Sequence, residues 1–275
     1  MASPNTSAPA KGYTRRPRAR DRITSVAIDL RFPLALGLLG MAVAACAPLP
    51  PRNPLAQWVP SANHELRKPV LIVIHHTEED SVQESLHTLR TRNSQGPVSA
   101  HYLVGHDGQR YQLVADNERA WHAGAGSWHG LTDINSISIG IELDNNGIDP
   151  FPAAQIDSLL VLLEDLCERY SIARSQIIGH ADLAPVRKVD PSREFPWKRL
   201  ADAGFGLWPG DADVEVPPGF DPWLALRLIG YSLDDRPATV RAFHLHFRGI
   251  ESVELDDEDL RILHALTMQI LDTTP

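Results

Sequence analysis

Val70 to Ile74 reads Val-Leu-Ile-Val-Ile, an unbroken apolar run in which every residue but Leu71 is β-branched. A strand with no polar face must be covered on both sides. That requirement restricts the chain to architectures in which layers flank a largely parallel sheet. The run ends in His75-His76, so it delivers two imidazoles to the C-terminal end of a strand, where α/β sites gather.

Other segments fit the same frame. His101–Val104 and Arg110–Val114 flank Gly-His-Asp-Gly-Gln, and Asp107-Gly108 signals a hairpin. Ile137 to Leu143 alternates: Ile137, Ile139 and Ile141 share one face, and Ser138, Gly140 and Glu142 share the other. A carboxylate thus stands beside two small residues, with space over it. Ala154 to Tyr170 keeps a helical period through Ile156, Leu159, Leu160, Leu163, Leu166, Cys167 and Tyr170, which makes Cys167 a core thiol. Gln176–Ile178 is a short strand leading into Gly179-His180. The expected fold is α/β, a mixed central sheet flanked by helices over 61–210. Pro209-Gly210 and the stretch Asp-Ala-Asp-Val-Glu-Val-Pro-Pro-Gly mark a boundary. Beyond it, Pro222–Tyr231, Pro237–Phe247 and Asp257–Leu271 predict a small three-helix domain over 211–275. Val240, Phe243 and Phe247 share one helix face there, and Leu260, Leu263 and Ile270 another. His244 and His246 are expected to face solvent.

Charge separates the N-terminal stretch from the body. Residues 1–31 carry seven Lys or Arg against two Asp, whereas the remainder carries 19 basic against 33 acidic groups. An acidic body argues against nucleic-acid binding through phosphates. Phe32 to Ala45 then runs without charge, too short to span a membrane but suited to the apolar core of a secretory signal. It ends in Val43-Ala44-Ala45-Cys46, which resembles the lipobox of bacterial lipoproteins. That resemblance implies cleavage before Cys46, lipidation of its thiol and an N-terminal membrane anchor. Ala47 after the Cys implies the outer membrane, facing the periplasm. The segments are therefore 1–45 as signal and 46–60 as a proline-rich spacer.

Chemistry concentrates at the predicted strand ends. His75, His180 and Asp190 are two imidazoles and a carboxylate, the donor set of a catalytic zinc site with a position left for water. Pro191 biases Asp190 toward extended backbone, and residues two apart in extended chain point the same way, so Lys188 faces the metal beside Asp190. Glu142 is then the general base and Lys188 a stabiliser of a developing oxyanion. Structural histidines, an edge-strand Glu142 and a solvated Lys188–Asp190 pair account for the same residues, and the residues alone leave both accounts open.

A family resemblance weighs between them. VLIVIHHT, SAHYLV, DGQRYQLV, AWHAG, NSISIGIEL, IIGHADLAPVRKVDP and FPW follow in order the pattern of type-2 N-acetylmuramoyl-L-alanine amidases, relatives of phage-lysozyme-type amidases and peptidoglycan recognition proteins. The resemblance covers about 65–210. It implies one zinc ion on His75, His180 and Asp190, catalysis by Glu142 and Lys188, and cleavage between the muramic lactyl group and L-alanine, in ordinary or 1,6-anhydro muropeptides. Wall turnover, recycling or remodelling follows as the task. Some relatives carry a catalytic Tyr where this chain has Ala100, and phage-type relatives use Cys where this chain has Asp190. The lipobox with a helical tail resembles the outer-membrane lipoprotein branch of the family in enterobacteria, and the tail resembles small peptidoglycan-binding domains. His76, Trp121 and His122 are the candidate substrate contacts, Trp128 and His129 weaker ones, and His101 a brace for the sheet. Muropeptides and a membrane are the expected partners, and the chain is expected to be a monomer. The alternative is a non-catalytic peptidoglycan-binding lipoprotein.

Overall fold

A computed structural model describes residues 57, 67–93, 96–210 and 214–273. The expected signal, Cys46 and the spacer, apart from Gln57, lie outside the described residues. In chain order the elements are β1 (Leu71–His76), α1 (Val82–Thr88), β2 (Arg92–Asn93), β3 (Gly96–Pro97), β4 (Tyr102–Val104), β5 (Arg110–Gln112), α2 (Ile134–Ile137), β6 (Ser138–Leu143), α3 (Ala153–Tyr170), β7 (Ile177–Gly179), α4 (His180–Leu183) and α5 (Trp197–Asp202). The tail adds α6 (Pro222–Ile229), α7 (Arg236–Phe247) and α8 (Asp257–Thr273). No helix among the described residues is long and apolar enough to cross a membrane.

The main sheet has the order β5-β4-β6-β1-β7. β1 pairs in parallel with β6 and β7, β4 in parallel with β6, and β5 antiparallel with β4. The mixed α/β sheet expected from the sequence is therefore present. β5 stops two residues short of the expected Val114, because Leu113 N and Val114 N both turn onto the His101 carbonyl. The sequence reading passed over α1, although Ser81 caps it by accepting from Glu84 N while its hydroxyl donates to the Glu84 carboxylate. The Ser-x-x-Glu spacing is the sequence mark of a helix start, and here the serine supplies the cap.

Alternation along β1 divides the core. Ile72 and Ile74 join Ile139, Ile141 and Leu143 of β6 against Ile156, Leu159, Leu163 and Leu166 of α3. Leu71 and Val73 face the other way and share a cluster with Leu226 of α6, Phe243 and Phe247 of α7, and Leu263 of α8. Both faces of the apolar strand are thereby covered, one by α3 and one by the tail. Asp221 caps α6 by accepting from Trp223 N and Leu224 N, and Asp235 caps α7 by accepting from Ala238 N. A proline in the first turn of each helix adds a preset φ.

His244 and His246 overturn the expectation that they face solvent: they are 0% and 6% exposed. His244 Nδ1 donates to the Ser252 carbonyl at 2.8 Å, and its Nε2 lies 2.9 Å from Asp259. His246 stacks on Trp197 at 3.8 Å between centroids and donates from Nδ1 to Asp182 at 2.7 Å. The helix carries histidine on an inward face because buried carboxylates wait there to receive it. Asp182, 1% exposed, also accepts from Tyr231 Oη at 2.6 Å and Gly179 N at 2.7 Å. A carboxylate on α4 is thus satisfied by two residues of the tail. Tyr231→Phe strips one donor from it and is expected to lower the unfolding free energy by about 1–3 kcal/mol in urea titration.

Candidate active site

The register of the three central strands assembles the site. His75 stands opposite Glu142, and Ile74 opposite Gly179, so His180 follows at the level of His75. Asp190 arrives on the loop after α4, whose path is closed by Ala181 N donating to the Asp190 carbonyl at 2.8 Å. Lys188 N and Arg187 N both donate to the Ala184 carbonyl, which tightens the intervening turn.

His75, His180 and Asp190 are 1%, 2% and 3% exposed. His75 Nδ1 lies 2.9 Å from His180 Nδ1, and both lie 3.1 Å from Asp190 Oδ2. His180 Nε2 is 2.8 Å from the Ala123 carbonyl. A carbonyl only accepts, so Nε2 carries the ring proton and His180 Nδ1 offers a bare lone pair. The Asp190 Oδ1 atom is buried without a hydrogen-bond partner among the described residues. Two ring nitrogens and a carboxylate therefore converge within 4.8 Å of one another. Acceptors this close repel unless a cation lies among them, and the donor set suits a borderline dication.

Glu142 Oε2 is likewise buried without a partner among the described residues. Burial, with the Asp190 charge adding to it and Lys188 opposing, pushes Glu142 up to about 8. Burial, helped by His180 and opposed by Asp190, pushes His75 down to about 4. Burial pushes Asp190 upward, but His180 and His75 outweigh it and hold the carboxyl well below its ordinary range. Lys188 Nζ is 3.9 Å from Asp190 Oδ1 with its side chain 37% exposed. Both point to the same place, as their spacing in the sequence predicts. His75, Glu142, His180, Lys188 and Asp190 all line one cleft of about 180 Å³.

The expected substrate contacts divide. Trp121 is 50% exposed on the rim of the cleft. His76 lines the cleft, accepts from Ser192 N at Nδ1, and so carries its proton on Nε2. His122 also lines the cleft, but both its ring nitrogens are taken inside the protein, by His75 and Ser138. The hydrogen bonding expected of it toward substrate is therefore spent elsewhere. Trp128 is 6% exposed beneath Tyr231. His101 braces the sheet as expected, accepting from Gly140 N at 3.0 Å. Sequence reasoning missed Arg187, whose guanidinium donates to the Ala123 and Ala125 carbonyls, and Asn135, whose Oδ1 accepts from His122 N and Ala123 N. Neither carries a spacing signal, because both act on backbone.

A mixed sheet presenting His, His and Asp, which could together hold a metal ion, beside a half-buried glutamate and a lysine has the make-up of a hydrolase site. The family model described as N-acetylmuramoyl-L-alanine amidase matches residues 65–193. The chain is 37% identical over 229 residues to the N-acetylmuramoyl-L-alanine amidase AmiD of Escherichia coli K12, spanning 71% of this chain and 81% of that one. It is 32% identical over 164 residues to the 1,6-anhydro-N-acetylmuramyl-L-alanine amidase AmpD of Enterobacter cloacae, covering 53% and 88% of the two chains. Among solved structures, AmpDh3 of Pseudomonas aeruginosa superposes with a TM-score of 0.67 at 31% identity, covering 77% of this chain and 96% of that one. E. coli AmiD, in complex with the substrate anhydro-N-acetylmuramic acid-L-Ala-D-γ-Glu-L-Lys, superposes with a TM-score of 0.66 at 34% identity, covering 76% and 93%. The chain belongs to the N-acetylmuramoyl-L-alanine amidase family.

The raised Glu142 carboxyl has a consequence for stability. An acid whose folded pKa exceeds its unfolded one binds extra protons in the folded state, so stability falls as pH rises between the two values. His75, shifted the other way, adds stability as pH rises from about 4 toward 6.5 and nothing beyond. Between pH 6.5 and about 8 the Glu142 contribution therefore declines unopposed by His75. Metal-free protein is expected to melt at lower temperature at pH 8 than at pH 6.5, and Glu142→Gln to reduce that difference. Scanning calorimetry of both proteins at the two pH values measures it.

Proposed function

We propose that this amidase uses zinc held by His75, His180 and Asp190 to hydrolyse the amide between N-acetylmuramic or 1,6-anhydro-N-acetylmuramic acid and L-alanine of peptidoglycan stem peptides. The observation that carries the reading is the buried convergence of acceptors beside a glutamate with an unpartnered oxygen. When bound, zinc supplies a Lewis acid that polarises a carbonyl and lowers the pKa of water to about 7.

The remaining chemistry belongs to side chains. Glu142 takes the proton of the attacking water and returns it to the departing amine nitrogen of L-alanine. A carboxylate with one bare, buried oxygen serves that role because no other donor competes for it. Glu142 ionises more readily beside a bound dication than alone, which brings its raised pKa toward neutrality. The Lys188 ammonium, exposed enough to meet substrate and near Asp190, stabilises charge on the carbonyl oxygen as the tetrahedral centre forms. His76 through its Nε2–H, and the exposed indole of Trp121, contact the peptide or glycan. With Ala100 where some relatives carry tyrosine, proton transfer rests on Glu142.

The N-terminal sequence supports a lipid-anchored protein. Residues 1–45 act as a signal, Cys46 is lipidated, and 46–60 space the amidase from the outer membrane within the periplasm. The tether keeps the site near adjacent wall and raises its effective concentration there. The amidase segment is 61–210 and the helical segment 211–275, which we propose contributes to holding peptidoglycan. The protein acts as a monomer in wall turnover, recycling or remodelling.

Mass spectrometry of a defined muropeptide tests the reading. Release of a free peptide beginning at L-alanine, abolished by chelator and restored by zinc, is the expected result. Intact substrate at full zinc loading refutes it. Glu142→Ala is expected to keep zinc and lose about 10²–10⁴-fold in kcat, whereas His180→Ala loses metal as well. Zinc content by atomic absorption beside steady-state kinetics separates the two.

A further inference from the structure

His122 lies behind the metal ligands rather than in front of substrate, and its surroundings are built to hold it there. His122 Nδ1 is 3.0 Å from His75 Nε2, and His122 Nε2 is 3.1 Å from Ser138 Oγ. Ser138 Oγ also lies 2.6 Å from the Ile134 carbonyl. That carbonyl has no proton to give, so the serine hydroxyl donates to it. Ser138 Oγ can then only accept from the ring, which puts a proton on His122 Nε2. A neutral imidazole with its proton on Nε2 has a lone pair on Nδ1, and that lone pair accepts from His75 Nε2–H. His75 is left with its own lone pair on Nδ1, the atom that meets His180 and Asp190.

The rest of the setting serves the same geometry. Asn135 Oδ1 accepts from both His122 N and Ala123 N, pinning the backbone that carries the ring. Gly140 leaves room for it: a Cβ there would lie 2.3 Å from His122 Cγ. The small residues beside Glu142 on the same face of β6 thus have separate tasks, Ser138 as an acceptor and Gly140 as a gap. The ring is 8% exposed and Ser138 is fully buried.

We propose that His122 and Ser138 form a relay that sets the tautomer of His75, so that its Nδ1 is presented to the metal as a ready lone pair. His122 is a positioning residue, acting on the ion through His75. In the opposite tautomer of His122, its Nδ1–H would face His75 Nε2, move the His75 proton to Nδ1, and block ligation. The relay deepens the zinc reading and rests on it.

Zinc affinity and ring protonation test the relay without recourse to turnover. In zinc-loaded wild-type protein labelled with ¹⁵N-histidine, long-range ¹H–¹⁵N spectra are expected to show protons on Nε2 of both His75 and His122. Competition against a chromophoric chelator is expected to give zinc binding weakened about 10–100-fold in His122→Phe and about tenfold in Ser138→Ala, the lower end of the range for lost supporting hydrogen bonds. His122→Asn, whose Oδ1 can still accept from His75 Nε2–H, is expected to fall between wild type and His122→Phe. Wild-type affinity in both His122→Phe and Ser138→Ala overturns the relay, as does a proton on His122 Nδ1. Should His122→Phe fail to fold, the wild-type spectrum and Ser138→Ala decide. Wild-type protein that takes up no zinc overturns the zinc reading itself and the relay with it.

Discussion

Two ring nitrogens and a carboxylate oxygen held against one another in a buried pocket are the constraint on which the rest of this molecule depends. His75 Nδ1, His180 Nδ1 and Asp190 Oδ2 lie 2.9–3.1 Å apart, a separation at which bare lone pairs repel. Nothing in one local segment could impose it, since the residues are separated by 105 and 10 positions along the chain. Parallel pairing imposes it instead. β1 and β7 run side by side in a register that leaves little freedom in where their C-terminal side chains end. The burial of apolar residues lower in the same strands supplies the free energy that keeps the acceptors together.

That arrangement explains why one sheet face must change character along its length. On β1 the face that begins with Leu71 and Val73 ends with His75. The apolar part is closed by Leu226, Phe243 and Leu263 of the tail. The polar part stays open as the cleft, lined by Glu142 of β6 and by His122, whose ring covers Ser138 and Gly140. A second helix laid across the whole face would bury the site, and none at all would leave Leu71 and Val73 in water. The tail covers the first half and stops. It also reaches the site indirectly, because Tyr231 and His246 satisfy Asp182 on the turn that begins with His180. Whatever else the tail does, its Tyr231 and His246 help hold in place the turn that carries His180.

How much of this was legible in the sequence depends on whether a residue's role is local. Strand β1, the alternation of β6 from Ser138 onward and the period of α3 follow from side chains arranged along one segment, so their faces could be assigned in advance. Ile137 was assigned with Ile139 and Ile141, but it ends α2 and packs in the other cluster. Lys188 and Asp190 were placed together by their spacing and by the extended backbone that Pro191 favours. His244 and His246 were misjudged because a histidine's burial depends on distant partners, here Asp259 and Asp182, that no helical period announces. His122 was expected to face substrate, and its ring nitrogens turn inward instead. Which way its nitrogens face depends on Ser138 and on the missing Cβ of Gly140, both on a strand that only tertiary pairing brings near.

The alternation Ser138, Gly140, Glu142 shows how a sequence feature can be right for an incomplete reason. Small residues beside a carboxylate suggest space for substrate, and part of that space is indeed the cleft. Part is filled from within by the His122 ring, which lies so close to Gly140 that alanine would collide with it. A site that must present neutral imidazole to a cation has to settle which nitrogen carries the proton, and a solvent-exposed ring cannot settle it, since water donates and accepts equally well. Burying the ring against a serine whose own proton is committed to a carbonyl removes that ambiguity. The glycine that first appears to open the site for substrate is, on this geometry, also what allows the second histidine to close in behind the first.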